Sequence, residues 1–247
     1  MIYKEPLVKG IGGQIVYVEF CDEISLECNK LVHLMYYSLS ERNIMGVLEL
    51  IPAYSSLTII YDPRLITYRR LIEEVKNIWS ESKAIDINRL IKPRLIEIPV
   101  VYGGGFGPDM PFVVKYSGLT EDEVIKIHSS RIYTCYMLGF TPGFVYLGDV
   151  DPRIAVPRLS TPRLKIPPGS VGIAGKQTGF YGVESPGGWR LIGRTPLMVF
   201  DPRRDPPSII RPGDKVKFKP ISIEEYYEIR KLVEKGEYEV RIEVYSQ

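Results

Sequence analysis

Residues 139–152 read GFTPGFVYLGDVDP, residues 156–182 read VPRLSTPRLKIPPGSVGIAGKQTGFYG, and residues 184–202 read ESPGGWRLIGRTPLMVFDP, almost without a spacer. Between their glycines and prolines lie short runs such as SVGIAG and RLIGRTPLMVF, too short for helices and rich in residues that suit a pleated, half-buried surface. Glycine opens backbone angles that other residues resist, and proline fixes φ and removes a donor. The whole stretch therefore reads as closely turned β-structure. From Ile132 to GDKVKFKP the alternation of strand-like pieces with Pro/Gly turns predicts a closed barrel or compact sandwich. Arg158, Arg163, Arg190 and Arg194 add planar cationic forks, so the same stretch suits an anionic ligand.

Upstream the pattern changes. GGQIVYVEF reads as a strand, SLECNKLVHLMYYSLSE as an amphipathic helix, GVLELIPAYSSLTIIYD as two strands with a bend, and TYRRLIEEVKNIWSES as a second helix. That order predicts a small α+β sandwich of ferredoxin-like type over residues 1–92, both helices on one face of an antiparallel sheet. The polar, proline-bearing stretch Asp86 to Pro93 is the expected boundary, and residues 93–247 form the second domain. There RLIEIPVVY begins the β-rich region, and GLTEDEVIKIHSS is a helix with Thr120 and Glu123 spaced as a capping box. ISIEEYYEIRKLVEKG is a final helix before the strand EYEVRIEVY. PRL recurs at Pro63, Pro93, Pro157 and Pro162 without a fixed period, which gives no support to a solenoid.

The 247 residues carry 32 basic and 30 acidic side chains, a formal charge of +2, which argues against a nucleic-acid footprint over the whole surface. No run approaches the roughly 18 apolar residues of a membrane helix, and MIYKEPLVKGIGG lacks a signal core, so a cytoplasmic protein is expected. Cys21, Cys28 and Cys135 leave an odd thiol and no paired C-x-x-C, and His33 and His128 stand far apart, so no metal site is expected. Abundant Lys, Arg, Glu, Ile and Tyr, with glutamine only at Gln14, Gln177 and Gln247, fit a thermophilic source.

Two glycine-rich strings invite a phosphate reading and fail it. GGGFG at 103–107 is followed by PDMPFVVKY, read as non-helical, so it lacks the helix N-terminus of a dinucleotide fingerprint. SVGIAGKQ has Ser170 in place of the first P-loop glycine and Gln177 in place of the magnesium-binding hydroxyl, so Lys176 reads as a solvated lysine at a strand end. His128 shares the apolar face of its helix with Val124: it is either a satisfied core histidine or, as the second domain's lone imidazole, a proton-transfer group. Cys135 and Ser185 lack a nucleophile context. Gly187 and Gly188 permit close backbone approach, and Trp189 is a core plug or a stacking platform.

In order along nearly the whole chain, YDPRL, VVYGGGFGPDM, GLTEDEVIKIH, GFTPGFVYL, PRLSTPR, PPGSVGIAGKQTGFYGVESPGGWRLIGRTPL, FDP and RPGDKVKF carry a resemblance to the KipI / allophanate hydrolase subunit 1 family, that of the 5-oxoprolinase B subunit (PxpB). The resemblance implies a small α+β domain followed by a cyclophilin-like β-barrel with few helices. It also implies an enzyme subunit, incomplete alone, that works with a KipA/PxpC-type barrel subunit and a PxpA-type subunit. Together these couple ATP hydrolysis, with magnesium, to opening the lactam of 5-oxoproline to glutamate; no cofactor is tightly bound to this chain. Two alternatives come with the family: a regulatory protein that inhibits a sensor histidine kinase, and a subunit that processes urea or allophanate. Carried onto this sequence, the resemblance puts His128, Arg158, Arg163 and Arg194 in catalytic roles. Gln177, Thr195 and Trp189 are expected to bind substrate, with Gly143, Gly187 and Gly188 shaping the cleft. Arg158 and Arg163 would grip a carboxylate or phosphate, Gln177 an amide, and GFTPGF is a candidate interface with the partner barrel.

Overall fold

The computed structural model describes residues 1–82 and 93–245, and the chain divides into two compact units, Met1–Pro93 and Arg94–Gln247. The expected boundary stretch falls at 86–92, outside the described residues, except for Pro93.

In the first unit β1 (Ile2–Ile11) and β2 (Ile15–Cys21) form a hairpin whose Gly12 and Gly13 take φ of 58° and 78°. Positive φ at two successive residues matches the twist of paired strands, which is why glycines stand there. α1 (Leu26–Arg42) follows, capped by the Ser25 side chain, which accepts a hydrogen bond from the Cys28 amide at 3.2 Å. β3 (Val47–Pro52), β4 (Ser56–Tyr61) and α2 (Tyr68–Ser82) complete the unit. The sheet is antiparallel in the order β1-β2-β4-β3. Alternate residues Val16, Val18 and Phe20 on β2 and Leu57, Ile59 and Tyr61 on β4 pack into one core with Val32 and Met35 of α1 and Leu71 and Val75 of α2. Reading the strand order from GGQIVYVEF onward misses β1, whose polar Lys4, Glu5 and Lys9 mask its period. Cys21 and Cys28 pair in a disulfide that ties the end of β2 to the first turn of α1, leaving Cys135 as the free, buried cysteine.

The second unit opens with β5 (Arg94–Tyr102), then α3 (Met110–Ser117) and α4 (Glu121–Ser130). α3 corrects the reading of PDMPFVVKY as non-helical: Pro111 sits in the first turn, where a missing amide is harmless, and Gly118 closes the helix at φ 73°. α4 carries the expected capping box of Thr120 and Glu123. Next come β6 (Ile132–Leu138), β7 (Val145–Gly148), β8 (Arg163–Ile166), β9 (Ser170–Ala174), β10 (Gln177–Phe180), β11 (Ser185–Gly187) and β12 (Arg190–Arg194). β13 (Lys215–Pro220), α5 (Ile223–Lys235) and the short β14 (Ile242–Val244) end the unit. Seven strands run in the order β12-β9-β10-β7-β6-β13-β5, and the β12–β5 pairing closes them into a barrel. Only β13–β5 is parallel among these pairs. Ile98, Val100, Cys135, Val145, Leu147, Val171, Ile173 and Phe218 fill the interior.

β8 and β11 stay out of the barrel and pair with each other as a ribbon. Under it lies a separate apolar cluster of Phe144, Ile166, Ala174, Tyr181, Trp189 and Leu191. This satellite core, rather than the barrel interior, positions the candidate site.

Candidate functional site

A cavity of about 330 Å³ opens over the satellite cluster. Phe140, Phe144, Tyr146, Tyr181 and Trp189 form aromatic walls, the ribbon and its approaches supply Pro162, Pro186, Gly187 and Gly188, and Arg158 is the one charged lining residue among the described residues. Phe144 is the hub. Its ring meets those of Tyr181 at 4.7 Å and Trp189 at 5.2 Å, both nearly perpendicular, and that of Tyr146 at 4.6 Å. These edge-to-face contacts hold the walls rigid. Gly187 is required here because a Cβ on it would lie 2.3 Å from the Tyr181 hydroxyl.

Phe140 stands at the rim, 62% exposed, with φ of 66°. An L-residue in the left-handed region costs on the order of 1 kcal/mol, and a bulky exposed ring held there marks strain kept beside the cavity.

Arg158 has its guanidinium carbon 5.8 Å from the Trp189 ring centroid and meets no carboxylate among the described residues. Its charge is available to a ligand. Burial raises the Tyr146 phenol, with Arg158 opposing, and pushes the Tyr181 phenol up to about 12, opposed by a hydrogen bond from the Trp189 amide and by Arg158 and Arg163. Tyr181 therefore keeps its proton at neutral pH and is a donor at the cavity wall.

Of the expected site residues, the cavity thus gathers Arg158, Gly187, Gly188 and Trp189. Gly143 shapes the turn behind it: at φ 70° its Cβ would lie 2.3 Å from the Cβ of Phe200. The others lie elsewhere. Arg163 makes a two-pronged pair with Asp109, 2.9 Å on each side. Arg194 has its guanidinium 5.7 Å from the Phe106 ring, and Thr195 is buried, its hydroxyl accepting from the Leu197 amide at 3.3 Å. Gln177 begins β10 beside the Gly175–Lys176 turn, with its side-chain nitrogen buried and unbonded. Lys176 is exposed in that turn, as expected of a solvated lysine.

His128 is wholly buried in the barrel unit, stacked 4.6 Å from Phe218. Tyr102 Oη lies 2.8 Å from Nδ1, and Nε2 lies 2.8 Å from Thr178 Oγ1, which itself donates to the Gly172 carbonyl at 2.9 Å. Since the Thr178 proton is spent on Gly172, the chain has one consistent direction: Tyr102 O–H to Nδ1, Nε2–H to Thr178. Burial lowers the imidazole to about 3. A neutral ring with both nitrogens engaged and no solvent access does the work of a core bridge, and it is not among the residues that line the cavity.

Asp109 is the residue that reading the sequence missed. It is buried at the start of α3, accepts from the Leu191 amide at 2.7 Å as well as from Arg163, and lies 3.8 Å from Arg190, whose guanidinium covers the Phe112 ring at 3.5 Å. The helix that does follow GGGFG begins after Asp109, whose side chain turns to the Leu191 amide and Arg163 and makes no bond to the helix's own first amides. Among the described residues no cluster of three His, Cys, Asp or Glu side chains is placed to hold a metal ion, and no helix is long and apolar enough to cross a membrane.

Residues 6–210 match the family model described as carboxyltransferase domain, subdomain C and D. The chain is 42% identical over 228 residues to the 5-oxoprolinase B subunit of Bacillus subtilis, covering 89% of this chain and 95% of that protein. The crystal structure of TTHA0988 superimposes with a TM-score of 0.73 at 35% identity over 85% of this chain, which spans only 40% of that longer one. The Kluyveromyces lactis urea amidolyase structure gives a TM-score of 0.77 over 96% of this chain and 16% of that chain, at 21% identity, a likeness of fold alone.

Proposed function

The chain belongs to the family of carboxyltransferase subdomains C and D that includes the 5-oxoprolinase B subunit, and from that premise we propose that it is the B subunit of an ATP-dependent 5-oxoprolinase. The reading rests on 42% identity sustained over 95% of the Bacillus relative. In it the chain opens the lactam of 5-oxoproline to glutamate only when joined by PxpC-type and PxpA-type subunits, and the exposed Phe140 of GFTPGF stands at the rim facing the partner.

The cavity's chemistry supports the substrate. 5-Oxoproline is a small ring with apolar methylene edges, one carboxylate and one amide carbonyl. Arg158 pairs with the carboxylate, Trp189 and Phe144 contact the ring, and the protonated Tyr181 hydroxyl donates to the carbonyl, where negative charge grows as the amide is attacked. Urea has neither a charge for Arg158 nor an apolar edge for five aromatic rings, and allophanate, although it carries a carboxylate, has no apolar ring edge for them, so the urea and allophanate alternative fits less well. The Lys176 turn does not fit a triphosphate, and ATP with its magnesium is assigned to the assembled complex.

The test is ATP-dependent glutamate release from 5-oxoproline by the chain alone, with the PxpC-type partner, and with both partners. Turnover confined to the full mixture is the expected result. No turnover there, with folded partners, would sink the reading; an Arg158→Ala complex whose KM for 5-oxoproline stays at the wild-type value would remove the cavity as the substrate site.

A further inference from the structure

The segment PRLSTPR, residues 157–163, delivers Arg158 and Pro162 to the cavity, and it has no regular structure before β8. What holds it is a set of bonds at its two ends and its middle. At the far end Arg163, in register with Gly187 across the ribbon, is clamped by Asp109 through two contacts of 2.9 Å. At the near end the Pro157 carbonyl accepts from Arg190 Nε at 3.4 Å, and Arg190 is itself drawn to Asp109 and seated on Phe112. In the middle the Leu159 amide donates to the Gly188 carbonyl at 2.7 Å.

Asp109 therefore reaches both ends of the segment. Its own position is fixed twice over: its amide donates to the Leu191 carbonyl at 2.9 Å, while its carboxylate accepts from the Leu191 amide at 2.7 Å. The anchor is a rigid point on α3 and the barrel strand β12, and the strap hangs from it. We propose that Asp109 is a positioning residue that latches the 157–163 strap and so sets where Arg158 stands in the cavity. The latch also sorts the cations. Arg163 and Arg190 are drawn to one carboxylate behind the strap, so among the described residues Arg158 is the one cation that lines the cavity, and its single guanidinium favours a ligand with one carboxylate. This selectivity rests on the reading of the cavity as the substrate site; the latch itself does not.

Hydrogen exchange of the strap amides, read by mass spectrometry on the full chain, separates the two. In Asp109→Asn the Arg163 contact weakens to that of a neutral amide, and in Arg163→Ala it disappears with the anchor intact. Both variants are expected to exchange residues 158–164 at least about tenfold faster than the wild type, since local opening follows the loss of its holding contacts, while peptides from β9 and β13 keep their protection. In the assembled complex both are expected to raise KM for 5-oxoproline by about 10- to 100-fold with kcat within about twofold, the signature of a displaced binding group. Strap exchange at the wild-type rate in Arg163→Ala overturns the latch, whatever happens to KM. Faster exchange with an unchanged KM leaves the latch standing and removes the cavity as the substrate site. Should Asp109→Asn fail to fold, Arg163→Ala carries the same comparison.

Discussion

The neutral, enclosed His128 makes the barrel unit acid-sensitive in a window where no other side chain of that unit ordinarily titrates. Its folded pKa is near 3 against an ordinary 6.5, because burial penalises the charged ring. A depressed histidine pKa means that the unfolded chain binds the proton first, so stability is lost as pH falls below about 6.5. At pH 5 the loss is about 1.4 kcal/mol multiplied by the logarithm of the unfolded-state binding term, or about 2 kcal/mol relative to pH 8. The carboxylates do not confuse this window. Asp151 and Asp201 are held well below the usual range by Arg153 and Arg203, so their contributions fade only below about pH 4. The assay is urea unfolding followed by the fluorescence of Trp189, in a Trp79→Phe background that leaves one indole. With a slope of about 2 kcal/mol per molar urea, the midpoint is expected to fall by about 1 M between pH 7.5 and pH 5. His128→Gln is less stable at neutral pH, because it disturbs the Tyr102–His128–Thr178 chain, but its midpoint is expected to be flat across the window. An undiminished acid shift in His128→Gln would refute the assignment.

Thr178→Val removes the acceptor for the His128 Nε2 proton and is expected to cost about 1–3 kcal/mol, read as a lower urea midpoint at pH 7.5. Reducing the Cys21–Cys28 disulfide, which closes a loop of sequence separation 7, should cost the first unit about 2.5 kcal/mol, seen as a lower thermal midpoint with reductant and reproduced by a Cys21→Ser, Cys28→Ser double variant. Phe140→Gly relieves a left-handed backbone at an exposed position and should be neutral or stabilising by up to about 1 kcal/mol, while raising KM for 5-oxoproline in the complex; a destabilised protein with unchanged KM would count against strain kept for function. Gly187→Ala drives a methyl into the Tyr181 hydroxyl and should weaken binding more than it lowers the thermal midpoint.

Much of the architecture was legible because its signals are local. The period-two runs of β2 and β4, the Thr120 and Glu123 capping box and the glycine turns each report on neighbours in sequence, and each appears where those signals put it. The helix over Met110–Ser117 escaped because two prolines in PDMP read as breakers, although proline in a first turn breaks nothing. The strand Ile2–Ile11 escaped because it is a largely exposed edge, and an edge strand need not alternate. The aromatic walls were hidden for a different reason. Phe144, Tyr181 and Trp189 come from three segments that become neighbours only when β7, β10 and β12 take their places in the barrel and β11 folds over them.

The arginines show why a candidate site cannot be read from residue type alone. Arg158 and Arg163 stand five positions apart in PRLSTPR with the same flanking Pro and Leu, and nothing within that string distinguishes them. Their fates are set by a carboxylate 54 residues upstream of Arg163, placed by the turn after β5 and the first turn of α3. Pairing Arg163 with a buried aspartate spends its charge on structure; leaving Arg158 against an indole, where a guanidinium is weakly held, keeps its charge for a ligand. The pairing is a prerequisite of the exposure, because the strap that Asp109 fixes is the one that carries Arg158. The neutralised arginine and the free one are thus two parts of one device, and a change at either should be felt at the other. A double-mutant cycle between Asp109→Asn and Arg158→Ala on KM is expected to be strongly non-additive: once Arg158 is gone, loosening its strap has little left to displace.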